Sequence, residues 1–192
     1  MASNLPAPKF HLRSEFRRRR LHLARATPDA AARAAGLAPM ARLASFTIVS
    51  GYKPVGAEID PGPLLGRLIK AGCRLVLPVA ARENERLLFR AADAARQLVS
   101  DELGVLAPDA RAQTMVPQLV IAPLLAFDGT GARLGQGGGW YDRTLAFLRA
   151  SGRVFVLGLA YSGQEAERLP TEPHDQPLDA VLTEQGYRDF SR

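Results

Sequence analysis

The sequence predicts an α/β fold, a three-layer α/β/α arrangement around a mostly parallel sheet, and three observations carry that expectation. Apolar runs at residues 119–122 and 154–159 have strand length and almost no polar residue, as strands covered on both faces do. Such runs alternate with segments whose apolar residues recur at helical spacing, the pattern of β-α-β units. A glycine cluster lies between one of these runs and a helical pattern, where open parallel sheets place their ligands. With 192 residues and 47% hydrophobic composition, the chain is expected to fold over 1–192 as one domain with one core.

Residues 1–8 hold two prolines and are expected as a loose arm. A basic helix follows from about residue 8 to 25, with Leu12, Phe16, Leu21 and Leu23 interleaved among Arg17–Arg20 so that a basic face is left to solvent. Pro28 suits a helix start, and the alanine-rich run is expected to stay helical through Arg42 before a strand at 45–49. The turn Gly51-Tyr52-Lys53-Pro54 ends that strand. Asp60 and Pro61 then suit the cap and first position of a helix whose buried stripe is Leu64, Leu65, Leu68 and Ile69, closed by Gly72. Strands at 74–77 and 87–90 flank a charged turn at 82–86, residues 91–117 carry no assignable element, and a last strand is expected at 180–182.

The net charge of +6 is concentrated in the first 50 residues, where Lys9, Arg13, Arg17–Arg20, Arg25, Arg33 and Arg42 face only Glu15 and Asp29. The arginine run also admits a nucleic-acid patch or a targeting signal, but its apolar interleaving favours an amphipathic helix. Neither nucleic acid nor membrane is therefore expected as a partner. A basic face also draws polyanionic small molecules toward a nearby phosphate loop. No apolar run reaches the ~18 residues of a membrane span, and the N-terminus lacks the apolar core of a signal peptide. Cys73 is alone, which excludes an internal disulfide and suits a small buried hydrophobe in a reducing compartment, so a cytoplasmic location is expected.

The chemistry is concentrated between residues 119 and 142. The strand 119–122 leads to Asp128, Arg133 and the glycines Gly135, Gly137, Gly138 and Gly139, after which Tyr141, Leu145 and Leu148 fall at helical spacing. The last glycines thus sit at a helix N-terminus, where backbone N–H groups are unpaired and attract anions. Glycine lets a phosphate approach the amides, Arg133 adds a fork of donors, and Asp142 in the first helical turn can hold a hard cation. A plain turn is the competing explanation of a glycine cluster. A Walker loop is excluded because Gly-Trp-Tyr stands where Gly-Lys-Ser/Thr is needed. The Rossmann fingerprint is excluded by Trp140 at its last small-residue position.

Taken together, Pro123, Phe127-Asp128, Gly131, Arg133-Leu134-Gly135, Gly137, Gly139 and Trp140-Tyr141-Asp142 resemble the signature of the 5-formyltetrahydrofolate cyclo-ligase family, also called 5,10-methenyltetrahydrofolate synthetases. Lys9-Phe10-His11-Leu12-Arg13, Glu58-Ile59-Asp60, Gln164 and Leu169 through Asp175 agree in the same order, so the resemblance spans nearly the whole chain. It implies a fold like that of sugar-phosphate isomerases and CoA transferases, and conversion of 5-formyltetrahydrofolate, with or without a polyglutamate tail, to 5,10-methenyltetrahydrofolate with ATP and Mg²⁺, commonly in a monomer. In that chemistry the formyl oxygen is phosphorylated, N10 attacks the activated carbon and phosphate leaves. The resemblance implies that Lys9 and Arg13 bind ATP phosphates and that Arg133, Leu134, Gly135, Gln136, Gly137, Gly138, Gly139, Trp140 and Tyr141 cradle the nucleotide. It further implies that residues 136–140 also touch folate together with Glu58 and Lys53, that Asp142 and Asp175 hold the metal, and that Arg133 and Asp142 act in catalysis. Tyr52 and Phe89 are read as core or as walls of the pterin site. Gln136 stands where many relatives carry an aromatic residue, which leaves a folate- or nucleotide-binding paralogue without turnover as the alternative.

Overall fold

The computed structural model describes residues 9–80, 86–92 and 97–190, so the expected arm and residues 82–85 of the charged turn lie outside the described residues. The first helix, α1 (Lys9–Ala26), precedes α2 (Ala30–Leu37), α3 (Met40–Leu43) and β1 (Ile48–Ser50). After α4 (Gly62–Lys70) come β2 (Arg74–Ala80) and β3 (Leu87–Ala91), then a two-stranded hairpin, β4 (Val99–Ser100) and β5 (Leu106–Ala107). The second half holds β6 (Leu119–Ala122), β7 (Ala126–Asp128), β8 (Arg133–Leu134), α5 (Trp140–Ser151), β9 (Phe155–Leu159), β10 (Glu165–Ala166), β11 (Ala180–Thr183) and β12 (Gly186–Asp189).

Seven strands form one sheet in the order β12-β11-β9-β6-β1-β2-β3. The five inner strands are parallel, and an antiparallel strand closes each edge. Strand alternation divides the core into two layers. Leu119 and Ile121 of β6, Leu157 and Leu159 of β9, and Ala180 and Leu182 of β11 face α2 and α4. Val120, Ala122, Val156 and Val181 face the opposite way, toward Leu145 and Leu148 of α5. Both faces of the central strands are covered, as the uninterrupted apolar runs require. A smaller sheet, β10-β7-β8, carries the third cluster, where Phe16 of α1 packs with Leu125, Leu134 and Leu169. Among the described residues no helix is long and apolar enough to cross a membrane.

Several expectations need correction. The helix expected to run through Arg42 breaks at Ala38-Pro39, with Ala38 extended (ψ 134°), because proline supplies no N–H and its ring disfavours a helical residue before it. The first strand begins at Ile48 rather than residue 45. Pro61, not Asp60, is the capping position of α4, although Asp60 still accepts the Gly62 N–H at 2.9 Å. Leu64, Leu65 and Leu68 are buried, but Ile69 is 49% exposed and falls off the stripe. Leu21 is also exposed, and Arg20, expected on the solvated face, is only 6% exposed. The helix α1 packs against several elements at once, so its buried strip includes an arginine that periodicity alone assigns to water. Cys73 is buried as expected, and burial raises its thiol pKa.

The contrast on α4 is testable. Leu68→Ala is expected to cost about 2–5 kcal/mol in urea unfolding, through lost burial and a residual cavity. Ile69→Ala is expected to change stability by less than about 0.5 kcal/mol.

Candidate functional site

The sheet order reverses at β1. From β1 the chain passes through α4 to β2 on one side, and later returns to β6 on the other. Ligands of open α/β sheets sit at such a reversal, beyond the carboxyl ends of the strands. A cleft of about 490 Å³ opens there, lined by Tyr52 and Lys53 after β1, Leu77 and Pro78 of β2, and Pro123 after β6. The residues assigned binding, metal or catalytic roles from the sequence line it: Lys9, Arg13, Lys53, Glu58, the whole stretch 133–142 and Asp175. Segments more than 160 positions apart meet here, as the 2.6 Å contact between Lys9 Nζ and Asp175 Oδ2 shows.

The glycine loop joins β8 to α5. Gly139 is the capping residue in a left-handed conformation (φ 68°), and no side chain caps the helix. The Arg143 N–H reaches Gly139 O at 3.1 Å, so the N–H groups of residues 140–142 precede the first closed turn. The loop carbonyls are turned to arginines: Arg13 Nε donates to Gly135 O, Arg17 Nη2 to Gln136 O and Arg143 Nη2 to Gly138 O, each at 3.1 Å. Across a planar trans peptide the following N–H points the opposite way, so the N–H groups of residues 136, 137 and 139 are directed away from those cations. A Cβ on Gly137, which also has positive φ (110°), would come within 3.4 Å of the Arg13 guanidinium. Glycine is therefore needed for the backbone angle, since a Cβ would meet that guanidinium only at ordinary van der Waals distance.

Arg133 is the most enclosed charge of the site, its side chain 3% exposed. It donates from Nη2 to Asp142 Oδ1 at 2.6 Å and from Nε to Gln176 O at 3.1 Å, while Asp142 Oδ1 also accepts the Gln176 N–H at 3.0 Å. Burial lowers the Arg133 pKa from its ordinary value, and Asp142 is the strongest opposing influence. Lys9 bridges Glu172 (3.2 Å) and Asp175 (2.6 Å). Burial disfavours the Asp175 carboxylate, but the Lys9 hydrogen bond, the Glu172 N–H and the charges of Lys9 and His174 prevail and hold its pKa below the usual value. Glu172, His174 and Asp175 bring ligating atoms within 4.8 Å of one another; Asp142 is not in that group and is engaged with Arg133 instead.

The cleft is also lined by apolar residues, Leu77, Pro78, Leu87 and Leu106 among them. Tyr52 is buried, and its hydroxyl donates to Ile59 O at 2.6 Å, so it serves as both core and wall; Phe89 is core only and does not line the cleft. Burial, reinforced by Glu58, raises the pKa of both Tyr52 and Tyr141, so both phenols stay neutral. Glu58 accepts from the Val55 N–H (3.0 Å) and from Arg20 Nη1 (3.3 Å). Gln136 is exposed at the rim, where Arg17 Nε donates to its Oε1 at 3.1 Å. The parts overlooked in the sequence are Arg17, Arg20, Glu172 and the backbone of Gln176. The spacing Lys9, Arg13, Arg17, Arg20 places four cations on one face of a helix and was the available signal for two of them.

The sequence matches the family model for the 5-formyltetrahydrofolate cyclo-ligase family over residues 7–184. It is 38% identical over 140 residues to the 5-formyltetrahydrofolate cyclo-ligase of Escherichia coli K12, covering 70% of this chain and 76% of the relative. The enzyme of the same name from Mycolicibacterium smegmatis is 34% identical over 142 residues, covering 70% of this chain and 72% of the relative. Among solved structures, the 5,10-methenyltetrahydrofolate synthetase of Aquifex aeolicus superposes with a TM-score of 0.75 at 26% identity, covering 96% of this chain and 93% of that one. A synthetase from Mycoplasma pneumoniae shares the fold, with a TM-score of 0.72 at 21% identity over 92% of this chain and 98% of that one. The chain belongs to the 5-formyltetrahydrofolate cyclo-ligase family.

Proposed function

We propose that this enzyme converts 5-formyltetrahydrofolate to 5,10-methenyltetrahydrofolate in an ATP- and Mg²⁺-dependent reaction, with residues 1–192 acting as one domain. The observation that carries the proposal is a single cleft lined by two kinds of residue. The glycine loop with Lys9, Arg13 and Arg133 supplies one kind; the apolar Leu77 and Pro78 with Tyr52, joined by the Glu58 carboxylate, supply the other. The first suits a polyphosphate, and the second a flat heteroaromatic ring whose donor edge meets a carboxylate.

In the reaction the formyl oxygen accepts the terminal phosphoryl group of ATP. The folate N10 then forms a bond to the formyl carbon and loses its proton, and the C–O bond breaks to release phosphate. The balance is one ATP consumed, with ADP and phosphate formed. No protein nucleophile is required, so the site's task is to position the reactants and neutralise charge. Arg133 is suited to the transferred phosphoryl group because Asp142 and Gln176 fix its plane, and its burial strengthens its interaction with an anion. Lys9 and Arg13, one helical turn apart, approach the phosphates from α1. The carboxylates of Asp142 and of Asp175, the latter with Glu172 beside it, are hard oxygen donors that suit Mg²⁺, which when bound would offset phosphate charge. Glu58 faces the pterin, and Trp140 and residues 136–139 meet both ligands.

The test is methenyl absorbance on mixing protein, 5-formyltetrahydrofolate, ATP and Mg²⁺, with each omitted in turn. Turnover is expected only in the complete mixture. Folate binding without turnover would instead establish the binding-only paralogue that Gln136 suggests. Arg133→Ala and Asp142→Ala are each expected to lower turnover by about 10²–10³-fold, and full activity in both would remove their assigned roles. Arg133→Lys is expected to stay impaired, because an ammonium cannot reproduce the fork that engages Asp142 and Gln176 together. Lys9→Met is expected to raise the KM for ATP by about 10-fold or more while leaving that for 5-formyltetrahydrofolate close to wild type.

A further inference from the structure

Arg20 lies on α1 behind the cleft and does not line it. Its side chain is 7% exposed and that of its partner Glu58 is 8% exposed, with Nη1 and Oε1 3.3 Å apart. The same Nη1 donates to Leu124 O at 3.2 Å, one residue beyond Pro123 at the carboxyl end of β6. Gln164 Nε2 also donates to Leu124 O (2.9 Å) and to Leu125 O (2.8 Å), so this carbonyl is held from two sides. Arg20 Nε is buried and finds no hydrogen-bond partner among the described residues.

A buried arginine with an unsatisfied donor is a poor device for stability, since an apolar side chain of similar volume fills such a space at less cost. Its placement makes sense if the Glu58 carboxylate must be held in one orientation. Glu58 sits on the loop between β1 and α4, where, among the described residues, Val55 N–H and Arg20 grip its carboxylate. The Val55 bond is local to that loop. Among the described residues it is Arg20 that ties the carboxylate to a different part of the fold, the end of β6. Along α1 the order is then Lys9 and Arg13 at the glycine-loop end and Arg20 at the Glu58 end, so one rigid helix references both halves of the cleft.

We propose that Arg20 is a positioning residue that orients the Glu58 carboxylate for the heteroaromatic substrate. The inference rests on the proposed function only in taking Glu58 as a substrate contact. Trp140, the single tryptophan, lines the cleft, so its fluorescence reports binding of either ligand without turnover. Titrations of wild type, Arg20→Met, Glu58→Gln and the double variant with 5-formyltetrahydrofolate, and separately with ATP, test it. The expected result is a folate Kd raised about 10- to 100-fold in Arg20→Met, an ATP Kd within about 2-fold of wild type, and no further loss when Glu58→Gln is added. Equal weakening for folate and ATP, or additive losses in the double variant, would show that Arg20 merely anchors α1 and would overturn the proposal. Unchanged folate affinity in Arg20→Met would do the same. If Arg20→Met does not fold, Arg20→Lys replaces it: a several-fold loss for folate alone supports positioning, and wild-type affinity refutes it. Wild-type protein whose fluorescence and turnover ignore 5-formyltetrahydrofolate would refute the functional proposal itself, an outcome distinct from all of these.

Discussion

The site depends on the buried pair between Arg133 and Asp142. A guanidinium with a side chain 3% exposed is tolerable only with a counter-charge and satisfied donors. Asp142, in the first turn of α5, supplies the charge, and Gln176 O accepts from Nε. Since the Gln176 N–H also donates to Asp142, three segments that share no local sequence are locked into one ring: β8, the start of α5 and the segment that carries Asp175. The position of Asp175, and through it the Lys9 bridge to α1, follows from that ring.

The cleft is thus assembled by ion pairs at its rim and hydrophobic burial beneath. Leu145 and Leu148 fix α5 against Val120 and Val156, which sets the depth of the glycine loop relative to the strand ends. Phe16 fixes α1 against Leu125 and Leu134 and so sets the reach of Lys9, Arg13, Arg17 and Arg20. The apolar layers give the frame its free energy, while the charged contacts choose among the close placements of loop and helix that the frame permits. The same charges face the cleft, so the contacts that hold the loop also shape its field.

The sheet and the site were legible to different degrees. The strand at 119–122 was readable residue for residue because both faces are covered and no polar position interrupts it. The break at Pro39 was overlooked because an alanine-rich window outweighed a single proline, although the lost N–H decides the backbone there. The hairpin at 99–107 had no readable pattern, since its two-residue strands are mostly exposed and carry little periodicity. At the site, the glycines, Arg133, Asp142, Lys9 and Glu58 were visible as residues. The partners that hold them were not: Gln176 contributes through its backbone, which any residue supplies, and Arg20 looked like one more solvated cation.

By itself the sequence determined which segments are apolar on two faces, where glycine must replace a side chain, and which cations and acids stand beside that glycine turn. These follow from local rules of period, steric freedom and charge. Only the tertiary structure decided that Lys9 meets Asp175, that Asp142 is engaged by Arg133 rather than grouped with Glu172 and Asp175, and that Arg20 leaves the solvent to hold Glu58. Those pairings join residues from 9 to 166 positions apart. They arise because the strand order reverses at β1 and brings the ends of distant strands, and the loops that follow them, to one edge of the sheet.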